Sequence, residues 1–259
     1  GTTSVSDMYY FCDEICQAVA ESGIKANISR GTSMFLGDDF CFDTFPACQE
    51  LVALKDKWHN YDNGRIKIEA SIHAEYTSTY QLWDALAEYA VNNGLQLQVH
   101  LSETKKEHDA CVEKYGLTPA QVLDCHHVFD VPVVAAHCVH VTQEDMLLAK
   151  RHVSAAHCPV SNLKLASGCA DVLGMVRAGM NVCLGTDSVA SNNNLDLFEE
   201  IRGSVEDSTI DALIYQDLSS QAYRAVRMLF EEMCYGKVRS EKKHYAKLEI
   251  IMKENLIYF

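Results

Sequence analysis

LQLQVHLSETKKE, residues 95–107, joins a strand pattern directly to a histidine and a carboxylate. Apolar residues alternate over 95–101, which predicts a buried strand because side chains alternate between the two faces of a sheet. His100 lies at the carboxyl end of that strand, and Glu103 follows just before a charged run that predicts a helix. The stretch therefore predicts a strand–helix unit that carries reactive groups where the strand ends.

The same unit recurs along the chain and predicts the fold class. Short apolar runs alternate with amphipathic helical patterns, several of which stop at a glycine such as Gly23 or Gly94. Apolar strands separated by helices indicate a parallel sheet covered by helices. Seven strands are expected, over residues 2–8, 24–29, 65–72, 95–101, 131–138, 152–158 and 181–187.

Seven units fit an α/β fold of the (β/α)₈ TIM type that lacks its first strand. A doubly wound sheet fits less well, because no GxGxxG phosphate turn follows an early strand. After about residue 202 the alternation stops and the sequence becomes helical in character. We therefore expect a barrel over 1–202, comprising strands 2–8, and a helical C-terminal extension over 203–259.

Composition excludes several classes of partner. The 259 residues are 48% hydrophobic and 22% charged, as in ordinary globular proteins. A net charge of -14 argues against nucleic acid or an anionic membrane as a partner, and no apolar run is long enough to cross a membrane. The eleven cysteines are scattered, and several lie in apolar runs, which favours free thiols in a reducing cytoplasm.

Polar residues at the carboxyl ends of successive strands indicate one catalytic site. Four of these ends carry a histidine and a fifth carries Asp187; the histidines are His73, His100, His137 and His157. In a barrel these ends meet on the face where active sites lie. Imidazoles with a carboxylate suit Zn²⁺, with iron as the alternative, and such an ion activates water at neutral pH. Glu103, about one turn past His100, can then deliver a proton without competing for the metal.

Four motifs carry a resemblance to a known family: VHLSET, AHCVH, HCPVSNLKLASG and GTDSVASNNNLDLFEE. Together they resemble the amidohydrolase superfamily, and within it the 5'-methylthioadenosine/S-adenosylhomocysteine deaminase branch, which includes chlorohydrolase-like and guanine-deaminase-like relatives. The resemblance covers roughly residues 1–202 and implies a distorted (β/α)₈ barrel. It implies a hydrolase of carbon–nitrogen bonds in cyclic amidines, namely a metal-dependent deaminase of an adenine-type nucleoside. Guanine, a triazine or another heterocycle as substrate is the alternative, as is a non-catalytic barrel remnant.

The resemblance also implies roles for individual residues. His100 and Asp187 would ligate the metal, and Asp187 would also take a proton from water. Glu103 would shuttle a proton to the substrate ring and contact the substrate. His137 would hydrogen-bond the water and polarise the reacting centre.

Other polar residues carry looser expectations. The resemblance implies substrate contact by His73 and, on a weaker motif match, by Arg30. His140 is either a further site residue or supporting structure. His157 is expected to line the pocket or orient its loop, and Asn192 to fix the loop after Asp187.

Part of the family's metal site is not expected in this chain. Family members place an HxH pair on the first barrel strand, and none of the eleven histidines here forms one. The opening GTTSVSDMYY resembles the second strand, so the first strand and the flanking β-sandwich are expected to be absent. The chain is then either a fragment, whose longer reading frame supplies an HxH, or an inactive remnant. An open sheet edge favours association into a homo-oligomer.

Overall fold

Seven parallel strands follow one another in chain order in the sheet of the computed structural model, which describes residues 2–35, 39–206, 212–216 and 248–252. The strands are β1 Ser4–Tyr9, β2 Lys25–Arg30, β3 Ile66–Ala74, β4 Leu97–Leu101, β5 Val133–His137, β6 Val153–His157 and β7 Asn181–Leu184. Each falls on a predicted run, and sequential parallel order is what part of a (β/α)₈ barrel requires. Within the described residues, β1 and β7 are the two edges of this sheet.

Helices connect the strands, and glycines end two of them as the sequence predicts. Gly23 and Gly94 adopt left-handed φ angles of 78° and 62° at helix C-termini, a conformation that glycine adopts at little steric cost. The helices are α1 Cys12–Ser22, α2 Pro46–Trp58, α3 Tyr61–Gly64, α4 Tyr80–Asn93, α5 Lys105–Tyr115, α6 Pro119–Cys125, α7 Pro159–Lys164, α8 Val172–Arg177, α9 Val189–Asn192 and α10 Leu197–Glu206. Three 3₁₀ turns cover Glu75–Thr77, Val128–Asp130 and Asp145–Arg151.

The hydrophobic core lies between the sheet and the helices. Ile68 and Ile72 of β3 are buried, as are Trp83 and Leu86 of α4. The indole N–H of Trp83 donates to Ser78 Oγ at 2.7 Å, so burial leaves no unsatisfied donor on this ring. Burying each such side chain stabilises the fold by about 1.5–3 kcal/mol, which holds the strand ends in place.

The opposite face of β1–β4 is polar, and three of its side chains are buried: Ser29, Glu69 and Gln98. Ser6 and Ser29 donate to Gln98 Oε1 at 3.3 and 3.2 Å, and Asn27 Nδ2 donates to Glu69 Oε1 at 2.6 Å. Glu69 is 1% exposed, and its Oε2 has no hydrogen-bond partner within the described part of the chain. Burial raises the pKa of Glu69 to about 7, although the bond from Asn27 acts in the opposite direction.

The chain divides into two compact units, 1–200 and 201–259. In the second unit, β8 Ala212–Gln216 pairs antiparallel with β9 Leu248–Met252, where the sequence predicts helix. That expectation is wrong for these ten residues, because ALIYQ and LEIIM are rich in β-branched and aromatic side chains that pair across strands. The rest of the predicted extension, residues 207–211, 217–247 and 253–259, lies outside the described residues. In the parts that are described, no helix has the length and apolar character needed to span a membrane.

Candidate active site

Three histidines lie side by side where β3, β4 and β5 end. The parallel register pairs Ala74 with His100 and Leu101 with His137, which brings these strand ends level. The ring centroids of His73 and His100 are 5.0 Å apart. Those of His100 and His137 are 5.5 Å apart, with the rings stacked at 20°. The sheet therefore gathers the predicted histidines into one cluster.

The ring of His100 is held by a backbone hydrogen bond at Nδ1, which leaves Nε2 without a backbone contact among the described residues. Its Nδ1 lies 2.6 Å from the carbonyl oxygen of His73, so Nδ1 carries the proton that this bond requires. Burial, together with the neighbouring His137, lowers the pKa of His100 to about 4, although the hydrogen bond to the His73 carbonyl and the charge of Asp187 act in the opposite direction. The imidazole is therefore neutral near pH 7, and its Nε2 lone pair can ligate a cation.

Glu103 lies in a capped loop rather than on a helix. Ser102 adopts a left-handed φ of 47° and turns the chain as it leaves β4. Thr104 then caps α5 by accepting the N–H of Glu107, and Glu107 Oε1 accepts the N–H of Glu103 at 2.7 Å. The expectation that Glu103 lies one helical turn past His100 is wrong, because this cap starts the helix only at Lys105. The T-x-x-E spacing in SETKKE is a capping-box signal that could have revealed the loop.

Glu103 faces His137 across a short gap. Its Oε2 lies 3.7 Å from Nε2 of His137, and its Oε1 lies 3.5 Å from the hydroxyl of Ser167. His137 is 2% exposed, and its Nδ1–H donates to Asn162 Oδ1 at 2.9 Å. The bond to Asn162 thus orients the imidazole so that Nε2 faces the Glu103 carboxylate, an arrangement suited to proton transfer.

Asp187 follows β7 in a constrained loop. Its φ is 57°, in the left-handed region, and its two carboxylate oxygens accept from Ser161 Oγ and the N–H of Ser188, both at 2.6 Å. The side chain of Asn192 donates to Thr186 O and fixes the loop. The negative charge of Asp187 favours the protonated form of His100 and so acts to raise the pKa of that imidazole.

The donors present match a divalent ion in kind. His100 Nε2 and the Asp187 carboxylate are both preferred ligands of zinc, whose sites contain three or four protein ligands. Among the described residues, no group of three or more His, Cys, Asp and Glu side chains is arranged to hold a metal ion. His100 and Asp187 are therefore of the chemical type that such an ion requires, and by themselves they supply two donors.

The two expected substrate residues are placed differently. His73 belongs to the cluster: its Nδ1 lies 2.9 Å from Thr77 Oγ1, and burial lowers its pKa while the charge of Glu103 raises it. Arg30 is not brought into the cluster, because its Nε donates to Glu50 on α2 at 2.6 Å. Its guanidinium lies 4.4 Å from the ring centre of Tyr10.

Two polar residues of the site were missed by sequence reasoning. Ser161 contacts Asp187, and Ser167 contacts Glu103. Both lie in HCPVSNLKLASG, and single serines in a loop carry no sequence signal that would distinguish such contacts. Asn162 in the same motif orients His137 by accepting its Nδ1–H. His157 is buried at the end of β6.

The sequence profile described as the amidohydrolase family matches residues 1–229. The chain belongs to the amidohydrolase family. It is 45% identical over 203 residues to the 5-methylthioadenosine/S-adenosylhomocysteine deaminase of Dictyoglomus thermophilum, which covers 78% of this chain and 46% of that protein. This amidohydrolase chain spans about half the length of the curated relatives it matches.

Solved structures are also similar to this amidohydrolase chain, over about four fifths of its length. An adenosine deaminase from Xanthomonas campestris with bound zinc matches with a TM-score of 0.72 at 30% identity, covering 81% of this chain and 47% of that one. A guanine deaminase from C. acetobutylicum with bound guanine matches with a TM-score of 0.73 at 25% identity, covering 81% and 52%. The resemblance read from the four motifs is confirmed at the level of the family.

Proposed function

We propose that the protein containing this chain is a metal-dependent hydrolytic deaminase of an adenine-type nucleoside. The candidate substrates are 5'-methylthioadenosine, S-adenosylhomocysteine and adenosine-like nucleosides. One observation carries the proposal: Glu103 faces His137 beside the neutral His100, so a proton donor and a metal ligand share one cluster. The 45% identical relative named as such a deaminase supports the choice of substrate class.

His100 and Asp187 are proposed to hold the metal ion, with zinc favoured over iron. A divalent ion bound there supplies Lewis-acid activation of water at neutral pH. Ser161 and Ser188 fix the carboxylate of Asp187, and the carbonyl of His73 fixes the ring of His100. Hydrogen bonds to metal-ligating side chains orient those ligands and maintain their basicity.

Glu103 and His137 are proposed to move the protons of the reaction. Deamination replaces the ring amino group with oxygen from water and releases ammonia, so water gives up both of its protons, one to the ring nitrogen and one to the departing amino group. Glu103 can protonate the ring nitrogen, while Asp187 and His137 can accept a proton from water and return it to the departing amino group. The Ser167 hydroxyl contacts Glu103, and Asn162 accepts the Nδ1–H of His137. Both contacts fix the reacting groups before the reaction, which reduces the free energy needed to reorganise them.

His73 is proposed to contact the substrate from the end of β3. Its ring lies beside that of His100, and Thr77 fixes its Nδ1. Substrate contact by Arg30, the other proposed substrate residue, requires the guanidinium to leave Glu50. Ten free cysteines in the described part of the chain support a reducing, cytoplasmic setting as part of the proposal.

A substrate panel tests the proposal. The zinc-loaded protein that contains this chain is assayed for ammonia release with 5'-methylthioadenosine, S-adenosylhomocysteine, adenosine, guanine and a chlorinated triazine. The proposal predicts that adenine nucleosides are converted to their hypoxanthine counterparts in preference to guanine and triazine. Preferred turnover of guanine or the triazine would reassign the substrate, and absence of turnover with zinc bound would favour a non-catalytic barrel.

A further inference from the structure

His140, the second histidine of AHCVH, has no part in the proton path proposed above but touches two of the loops around it. Its backbone N–H donates to Ser102 O at 2.9 Å, next to Glu103 in the chain. Its ring Nε2 lies 2.8 Å from Ser167 O. A carbonyl oxygen only accepts, so Nε2 carries a proton in this contact. His140 therefore bridges the loop after β4 and the turn after α7.

Ser167 connects that bridge to the reacting groups. It is 5% exposed, and its hydroxyl lies 3.5 Å from Glu103 Oε1. Its backbone N–H donates at 2.8 Å to the carbonyl of Asn162, whose side chain receives Nδ1–H of His137. The turn that His140 holds thus contacts Glu103 directly and His137 through one residue.

Gly168 shows how closely this turn packs on AHCVH. Its φ is 120°, a conformation that residues with side chains rarely adopt. A Cβ added there would lie 3.2 Å from Val139 Cγ1 and 3.7 Å from ring atoms of His140. The turn therefore rests directly against His140, and the hydrogen bond from Nε2 fixes its position along that contact.

We propose that His140 is a positioning residue: by donating to the Ser167 carbonyl, its ring holds the Ser167 hydroxyl against Glu103. The inference rests on the proposed function and adds a residue that does not touch the reacting atoms. The role requires a hydrogen-bond donor at the position of Nε2 and does not require a change of charge on the ring. The second histidine of AHCVH and the serine–glycine pair of LASG are then both explained by this one contact between His140 and the turn.

Three substitutions at His140 distinguish the need for a hydrogen-bond donor from the need for an imidazole ring. His140→Gln places an amide N–H near the position of Nε2, His140→Asn places its amide one bond short, and His140→Ala has no donor. His140→Ala and His140→Asn should lower kcat for 5'-methylthioadenosine roughly 10- to 100-fold, because small displacements of a catalytic group have effects of that size. KM and bound zinc should not change, and His140→Gln should retain most activity. The exposed His127→Gln is the matched control and should behave as the wild type.

The double variant His140→Ala, Ser167→Ala tests the path of the effect. If His140 acts through Ser167, the two losses in kcat will be far from additive. Additive losses would overturn the inference. So would a His140→Gln variant as impaired as His140→Ala, or a His140→Ala variant that loses zinc or raises KM with kcat unchanged.

Amide hydrogen exchange gives a readout that does not depend on activity. His140→Ala should speed exchange at the N–H groups of Ser167 and Glu103, which are both hydrogen-bonded, and His140→Gln should not. If the wild type deaminates no adenine nucleoside but this pattern appears, the proposed function fails while the bridging role is retained. Unchanged exchange in His140→Ala overturns the positioning role whatever the activity.

Discussion

Glu69 makes the stability of the fold depend on pH near neutrality. The carboxyl is 1% exposed on the polar face of β3, with Asn27 as its hydrogen-bond donor and Oε2 unpartnered within the described residues. Burial raises its pKa from the ordinary 4.5 to about 7. The folded protein therefore holds this proton more tightly than the unfolded chain does. The resulting stabilisation is fully present below about pH 4.5 and is lost as the pH rises through about 7.

The size of the effect follows from the two pKa values. A tenfold difference in proton affinity is worth about 1.4 kcal/mol, so the shift in Glu69 corresponds to about 3 kcal/mol. Glu69→Gln retains an oxygen for Asn27 and cannot ionise. Relative to this variant, the wild type should lose up to about 3 kcal/mol of unfolding free energy between pH 5 and pH 8. Urea unfolding at several pH values measures that difference directly.

Two further variants make the test specific. Glu88→Gln removes an exposed carboxylate from α4 and should follow the wild type across the pH range. Asn27→Ala removes the hydrogen bond that opposes the rise in pKa, so the pH-dependent loss should move to higher pH. If the wild type and Glu69→Gln unfold with parallel pH dependence, the carboxyl is not buried as described and the reasoning is refuted.

Three further predictions concern the site and the core. His100→Ala and Asp187→Asn should each reduce the zinc retained after dialysis, measured by metal analysis, whereas exposed Glu88→Gln should not. Loss of a hydrogen bond to a metal ligand already costs about 10- to 100-fold in metal affinity, so loss of a ligand should cost at least as much. Leu86→Ala should lower the unfolding free energy by about 2–5 kcal/mol, because the side chain is fully buried, whereas Val91→Ala at an exposed position should have little effect in urea titrations. Gly168→Ala should destabilise the protein by about 1–3 kcal/mol, because φ is 120° and Val139 leaves little room for a Cβ; equal stability of variant and wild type in urea would contradict that packing.

The strands and the cluster of strand-end residues could be predicted because both depend on local pattern. Short apolar runs separated by helical patterns predicted all seven strands, and parallel order then placed His73, His100 and His137 at one edge. The helical expectation failed in the C-terminal part, where two short segments pair with each other across about thirty residues of sequence. Such non-local pairing leaves no periodic signal in segments this short, although β-branched and aromatic residues in both of them suit a strand.

The fine geometry of the site could not be predicted, because it depends on unusual backbone conformations. Ser102, His137 and Asp187 all have left-handed φ angles, of 47°, 69° and 57°, although none is a glycine. Each costs about 1–3 kcal/mol and persists only where surrounding contacts impose it. The ion pair of Arg30 could not be predicted either, because its partner Glu50 lies twenty residues away in the sequence. The substrate role of Arg30 remains a prediction.

The central claim is that Glu103 delivers the proton in a nucleoside deamination at this cluster. Binding and turnover of 5'-methylthioadenosine, measured on the same zinc-loaded preparations of wild type and Glu103→Gln, test it most directly. Glu103→Gln should bind the nucleoside and retain zinc but lose at least about 100-fold in kcat, as expected for removal of a general acid. Turnover by Glu103→Gln at a rate close to that of the wild type would contradict it.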